Sequence, residues 1–223
     1  MRGKFAQGAK SALPVCLGII PVGISYGMVA VQNGMSLFQA VLMSVTVMAG
    51  SSQLMAVGML GKAAVFSVIT AVFFVNLRHV VMSCCVMNRL EKTQLRHKLL
   101  CAFALCDESF ALFSLSDSSS WRHLLGANTA LYAAWVLSSF CGCALGDFLP
   151  ETVAKSFGVA FYAAFLAMLT PNVAKSLKIL LLVLLTAVIN TILQLVLPLS
   201  WAVIISMLAA AAVGVYLPEE KNE

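Results

Sequence analysis

Charged residues are scarce in this chain of 223 residues. Only 10% are Asp, Glu, Lys or Arg, whereas 61% are hydrophobic, and the mean hydropathy is +0.96. An average soluble domain has about a quarter of its residues charged and about half apolar. The composition therefore excludes an ordinary soluble domain and predicts an integral membrane protein. So little sequence lies outside the apolar runs that we expect one transmembrane domain over residues 1–223 and no soluble catalytic domain.

Sequence motifs for several kinds of chemistry are also missing. The chain has no His-Glu-x-x-His motif of a zinc enzyme, and its Gly-x-Ser-x-Gly sequence, Gly23 to Gly27, lies inside the first apolar run. Its seven cysteines all lie within apolar runs, without metal-site or thioredoxin-type spacing, so we interpret them as packing residues. We therefore expect no catalytic site, no metal and no cofactor. The net charge of +5 comes from Lys and Arg in loops, and it indicates membrane orientation rather than nucleic-acid binding.

What the chain does have is apolar runs near the length of about 20 helical residues that a bilayer core requires. They predict an all-α polytopic bundle with about seven to eight membrane segments, at least one of them broken or re-entrant. The eight runs cover 14–31, 38–60, 63–87, 99–116, 123–145, 152–170, 177–197 and 199–217.

Two membrane topologies remain open. If all runs cross and the N-terminus is inside, the most basic loop, 89–98, lies outside, against the positive-inside rule. If 38–60 instead enters and leaves on the outer face, that loop lies inside. The centre of this run, from Ala49 to Gln53, is small and polar, and we expect the helix to break there. Non-helical backbone at membrane depth must be buried in protein or line a wet cavity.

The strongest functional signal is a set of charges inside two apolar runs. Arg78 and His79 lie in the middle of the third run, and Asp107 and Glu108 lie in the middle of the fourth. A charge at the bilayer centre costs about 2.5–3.5 kcal/mol on insertion scales, so these groups are expected to pair. We predict an ion pair between Arg78 and one of the two carboxylates. A purely structural salt bridge is the alternative to a role in ion coupling.

The two carboxylates are expected to play different roles. Adjacent residues on a helix point about 100° apart, so both cannot meet one guanidinium equally well. The carboxylate with fewer contacts to Arg78 is our candidate proton carrier, since burial of a carboxylate favours its neutral form. We favour Glu108 over Asp107, because an unperturbed Glu holds its proton slightly more tightly than Asp does.

Small and polar residues predict a substrate site near these charges. The Pro and Gly residues of the first run indicate either a discontinuous helix with exposed backbone groups or the close approach of a neighbouring helix. In the second run, three polar side chains follow a glycine, and a polar group left unpaired in hydrocarbon costs several kcal/mol. The predicted substrate-binding residues are Gly18, Pro21, Gly23, Gly50, Ser51, Ser52, Gln53 and Asn76.

Four motifs carry a resemblance to a known family. They are Leu13-Pro-Val-Cys-Leu-Gly-Ile-Ile-Pro-Val-Gly-Ile-Ser-Tyr-Gly27, Met48-Ala-Gly-Ser-Ser-Gln53, Asn76-Leu-Arg-His79 and Asp107-Glu108. In this order and spacing they resemble the AzlC family, the large subunit of branched-chain amino-acid exporters, over nearly the whole chain. The resemblance implies export of leucine, isoleucine and valine, with methionine as a further candidate, across the bacterial inner membrane. It also implies a small, very hydrophobic partner subunit of the AzlD type.

Together these features predict a secondary active exporter of apolar amino acids that is coupled to protons. Two other function classes compete with this prediction. A membrane-embedded enzyme would use Asp107, Glu108 and His79 for acid–base chemistry, but the chain lacks a metal motif such as His-Glu-x-x-His to go with them. A structural or sensory subunit would leave the buried charges without a substrate to serve.

Overall fold

The computed structural model describes residues 2–146, 166, 170, 173, 176–197 and 199–216. All elements within these residues are α-helices, which confirms the predicted helical class. Four of the helices are long and apolar enough to cross a membrane: Gly3–Gln32, Val65–Arg89, Trp121–Gly146 and Leu177–Gln194. The predicted number of seven to eight segments is not confirmed, and most of the predicted run 152–170 lies outside the described residues.

Up to residue 146 the described chain forms seven helices, with tight turns after the first and the third. Gly34 and Gly61 form these turns with φ angles of +87° and +69°, which residues with a Cβ rarely adopt. The seven helices are α1 (Arg2–Gln32), α2 (Leu37–Thr46), α3 (Gly50–Met59), α4 (Val65–Arg89), α5 (Leu95–Phe103), α6 (Asp107–Leu115) and α7 (Trp121–Gly146). They are followed by helices Leu177–Gln194 and Leu199–Tyr216.

The described residues form two compact units. One unit draws its residues from Met1–Leu60 and Asn76–Phe161, and the other from Gly61–Val75 and Tyr162–Glu223. The first unit contains α1 to α3, the second half of α4 and α5 to α7, and therefore every predicted site residue. In the second unit, the last two helices pack against each other. The single transmembrane domain over the whole chain stays a prediction.

The first unit is built around α1, which packs along α7. α1 is one continuous helix although it contains Pro14 and Pro21, so the discontinuous first helix that the sequence suggested is wrong. A proline keeps a helical φ and removes its own N–H donor, and packing against α7 holds the helix together in spite of this loss. The Ser25 hydroxyl also donates to the Pro21 carbonyl at 2.8 Å.

Glycines bring the backbones of α1 and α7 close together. A Cβ atom on Gly23 or Gly27 would collide with α7, and one on Gly142 would collide with the α1 backbone at Ile24. Small residues spaced four apart let helices approach in this way. The close approach of a neighbouring helix, the second interpretation of the first run, is therefore confirmed.

Two predicted membrane segments each consist of two short helices. The run 38–60 forms α2 and α3 around non-helical residues 47–49, and the run 99–116 forms α5 and α6 around residues 104–106. The predicted break in 38–60 is present, although the residues from Gly50 onward form the first turn of α3. The second break corrects the prediction of a single helix over 99–116 with Asp107 at its middle.

Capping interactions explain why the second break falls where it does. Acidic residues are favoured in the first turn of a helix, where unpaired N–H groups carry partial positive charge, and Asp107 is the first residue of α6. The Ser109 hydroxyl accepts the Cys106 N–H at 3.0 Å and lies 3.1 Å from its carbonyl. In α3, Ser52 holds the same position and donates to the Ala49 carbonyl at 2.9 Å. The two breaks are therefore built alike.

Candidate functional site

One face of α7 supports both broken elements by binding the ends of their first helices. Asn128 Nδ2 donates to the Cys101 carbonyl in α5 at 2.7 Å, and Tyr132 Oη donates to the Val45 carbonyl in α2, also at 2.7 Å. The last four carbonyls of a helix have no partner within the helix. The two α7 side chains therefore satisfy backbone groups that the breaks leave free.

A buried hydrogen-bond chain fixes α3 against the same face of α7. Trp135 Nε1 donates to Gln53 Oε1 at 2.9 Å, and Gln53 Nε2 donates to Ser44 Oγ at 3.2 Å. Ser44 Oγ in turn donates to Ser139 Oγ at 3.0 Å. Gln53 is fully buried, and both ends of its amide are bound within the protein. The sequence predicts a substrate contact for Gln53, but the structure gives this amide protein partners instead.

The other predicted substrate residues do not form one cluster. Gly18 and Pro21 are exposed on α1, and no atom lies within 4 Å of a Cβ built on Gly18. Gly23 faces α7, and Ser52 is buried and bonded to its own helix end. Gly50 lies against the indole of α7, since an added Cβ would be 2.7 Å from that ring. The pocket predicted from these glycines and serines is therefore largely helix packing.

Arg78 connects the first turns of α3 and α6. Its Nη1 lies 2.7 Å from Oδ2 of Asp107, the first residue of α6. Its Nη2 donates to Oγ of Ser51, the second residue of α3, at 2.6 Å. The predicted ion pair is confirmed, and its carboxylate is Asp107. Ser51 alone among the predicted polar residues of 49–53 reaches the charged cluster through a described hydrogen bond.

The ion pair is partly open, and donors and acceptors around it are unused. The Arg78 and Asp107 side chains are 38% and 39% exposed. Among the described residues, Arg78 Nε, Asn76 Oδ1 and His79 Nε2 are buried atoms without a hydrogen-bond partner. A guanidinium beside the first turns of two helices also adds to the partial positive charge of their N-termini. The cluster is therefore suited to binding charged groups.

Glu108, the second carboxylate, lies beside this ion pair without joining it. Within the described part of the chain it forms no salt bridge, and it interacts with the thiol of its neighbour Cys106. His79 lies near Arg78, both carboxylates and the backbone of Leu105, so it belongs to the same cluster, as predicted. The site thus combines one paired carboxylate, one unpaired carboxylate and an imidazole, groups that can exchange a proton.

Sequence reasoning missed the supporting residues on α7. Asn128, Tyr132, Trp135 and Ser139 recur at intervals of four, three and four residues, which places them on one helical face. That spacing within an apolar run was the available signal. It marks a face that hydrogen-bonds to other parts of the protein.

Comparisons with known proteins find a family profile and relatives that are named membrane proteins. The family profile described as AzlC protein matches residues 14–149. An uncharacterized membrane protein of Archaeoglobus fulgidus is 32% identical over 76% of this chain and 76% of its own length. The inner membrane protein YgaZ of Escherichia coli is 26% identical over 74% of this chain and 71% of its own.

A further relative has a function in its name. The branched-chain amino acid transport protein AzlC of Bacillus subtilis is 30% identical over 48% of this chain and 42% of its own length. No solved structure matches the chain. The matched profile covers more than half of the sequence and includes α2 to α7, with both breaks and the Arg78 cluster. The chain is a helical membrane protein that belongs to the AzlC family.

Proposed function

We propose that this protein is a secondary active exporter of branched-chain amino acids in the plasma membrane and that it is coupled to protons. The observation that carries the proposal is the position of Arg78, which joins the first turns of α3 and α6 next to two helix breaks. Secondary transporters commonly bind substrates and ions where discontinuous helices meet. The name of the Bacillus subtilis relative supports the substrate class.

For the proton carrier we propose Glu108. Asp107 occupies the guanidinium of Arg78, and among the described residues Glu108 has no cationic partner. The charged and titratable groups near it are His79 and the Asp107-bound Arg78 on α4, and its own neighbours Cys106 and Asp107. A carboxylate outside an ion pair is freer to take up and release a proton than a paired one.

For the partner we propose a small, very hydrophobic subunit of the AzlD type. The support is the resemblance to the AzlC family, whose large subunits work with such a protein. Co-expression with this subunit and purification through a tag on the small chain alone tests the association. Recovery of the large chain in detergent at equal stoichiometry is the expected result, and recovery of the small chain by itself contradicts it.

Flux in proteoliposomes tests the transport function. Vesicles containing the large chain with its co-expressed small subunit are loaded with labelled leucine, and efflux is followed with and without a pH gradient. We expect efflux above that of protein-free vesicles, accelerated by the gradient and returned to its basal rate by a protonophore. Absence of flux for leucine, isoleucine and valine contradicts the function, whereas a flux indifferent to the gradient contradicts only the coupling.

A further inference from the structure

We infer that Arg78 and Asp107 are the receptor for the charged headgroup of the substrate, which inserts between them as a zwitterion. The substrate carboxylate binds the guanidinium, and the substrate ammonium binds the Asp107 carboxylate. This inference rests on the proposed function and deepens it. It makes the ion pair a recognition element and leaves proton transfer to Glu108.

The guanidinium of Arg78 has hydrogen-bond donors to offer such a ligand. Among the described residues, Asp107 contacts Arg78 through one oxygen and Nη1, and Ser51 occupies Nη2. The buried Nε of Arg78 has no partner. A guanidinium carries five N–H donors in a planar fork, and carboxylates bind this fork through two parallel hydrogen bonds. A substrate carboxylate that replaces Asp107 at Nη1 therefore finds further donors on the same guanidinium.

The charges of the cluster match a zwitterion rather than an anion or a cation. Arg78 and the first turns of α3 and α6 attract a carboxylate, and Asp107 places an opposite charge 2.7 Å from the guanidinium. A zwitterion gives Arg78 a carboxylate in place of Asp107 and gives Asp107 an ammonium in place of Arg78. Neither protein charge is then left unpaired. A ligand with a single charge separates the pair and leaves one member without a counter-charge, which is costly away from water.

Access to the pair supports binding over a purely structural role. Both side chains are more than a third exposed, whereas Gln53, which fixes α3 to α7, is fully buried and bonded at both ends. The first unit thus uses different residues for structural support and for substrate binding. Buried amides and hydroxyls hold the broken elements in place, and the open ion pair lies at the surface that those elements form.

Competition on the wild-type complex tests the inference directly. Exchange of labelled leucine in proteoliposomes is measured against unlabelled leucine, leucinamide, which lacks the carboxylate, and 4-methyl-2-oxopentanoate, which lacks the ammonium. All three share the same branched side chain. We expect leucine to compete at least tenfold better than either analogue. Equal competition by leucinamide or by the oxo acid overturns the inference, whereas absence of leucine exchange overturns the proposed function.

The variant Asp107→Asn distinguishes a role of the ion pair in substrate recognition from a purely structural role, because only recognition predicts a changed ranking of the competing ligands. In Asp107→Asn the ammonium receptor is lost while Arg78 remains, so competition by leucine should weaken at least tenfold and competition by 4-methyl-2-oxopentanoate should strengthen. The matched control is Asp117→Asn, since Asp117 is an exposed loop carboxylate, and its ranking should equal that of wild type. A uniform decrease for all ligands in Asp107→Asn indicates a structural ion pair and overturns the inference. If this variant does not fold, the wild-type competition decides alone.

Discussion

Asn128 and Tyr132 lie one turn apart on α7, and each donates a hydrogen bond of 2.7 Å to the end of a different short helix. The acceptors are the carbonyls of Cys101 in α5 and Val45 in α2. Because one face of one helix supports both breaks, the geometry around Arg78 depends on α7 even though no α7 side chain has a described hydrogen bond to the ion pair.

Loss of the guanidinium should destabilise the protein. Arg78→Ala leaves Asp107 and the first turn of α6 without their counter-charge. Breaking a fully buried pair costs about 3–5 kcal/mol, and because this pair is partly exposed we expect about 1–3 kcal/mol. The thermal unfolding midpoint of the purified protein in detergent measures the effect. Arg78→Ala combined with Asp107→Asn should recover part of the loss, and strictly additive losses contradict the coupling.

The buried chain through Gln53 should be sensitive to one missing donor. Trp135→Phe keeps an aromatic ring but leaves Gln53 Oε1 buried and unsatisfied, which costs about 1–3 kcal/mol. The midpoint of thermal unfolding should fall. Trp201→Phe is the matched control, because Trp201 is 44% exposed, and it should change the midpoint little. Equal midpoints for the two variants would show that the indole hydrogen bond does not support α3.

The glycines between α1 and α7 should not tolerate a methyl group. Gly27→Ala or Gly142→Ala places a Cβ against the backbone of the other helix, and overpacking of this kind costs about 1–3 kcal/mol. Gly18→Ala is the control on the same helix as Gly27, since open space surrounds its Cβ position. Alanine favours a helix by up to about 1 kcal/mol over glycine. Gly18→Ala should therefore keep or raise the unfolding midpoint, and a fall equal to that of Gly27→Ala contradicts the packing.

Glu108→Gln should separate transport from its driving force. The amide keeps the shape of the side chain but cannot release a proton, so leucine exchange should continue while accumulation driven by a pH gradient is lost. Both quantities are measured in proteoliposomes of equal protein content, with Asp117→Asn as the control for loss of a carboxylate. Undiminished gradient-driven accumulation in Glu108→Gln rules out this carboxylate as the carrier.

The sequence predicts those features that depend on local composition and on the cost of charge in a membrane. The helical class, the break in 38–60 and the Arg78 ion pair all follow from such arguments, and all three are present. The break before Asp107 is missed because a continuous apolar run hides it. Asp107 and Glu108 are a helix-start signal, because acidic residues favour a first turn, but inside an apolar run the same pair also fits charge in the middle of a helix.

The role of Gln53 is missed for a different reason. A polar residue in an apolar run needs a partner, but the sequence does not state whether that partner is substrate or protein. The partner of its carbonyl oxygen is Trp135, which lies 82 residues further along the chain. Only the fold, which places the Trp135 side chain against α3, brings the two together, so no local pattern around Gln53 can distinguish a binding residue from a structural one.

The contact between α1 and α7 also determines the order in which the protein is assembled during synthesis. Gly27 meets the α7 backbone at Ser139, which is 112 residues later. At about 5–20 residues per second, a ribosome takes roughly 6–22 s to make that stretch. During this interval the glycine face of α1 waits for α7, whereas both broken elements are synthesised before α7 begins. Helix α1 therefore reaches its α7 neighbour late, and a chain that stalls before α7 leaves that face open to lipid, insertion factors or proteases.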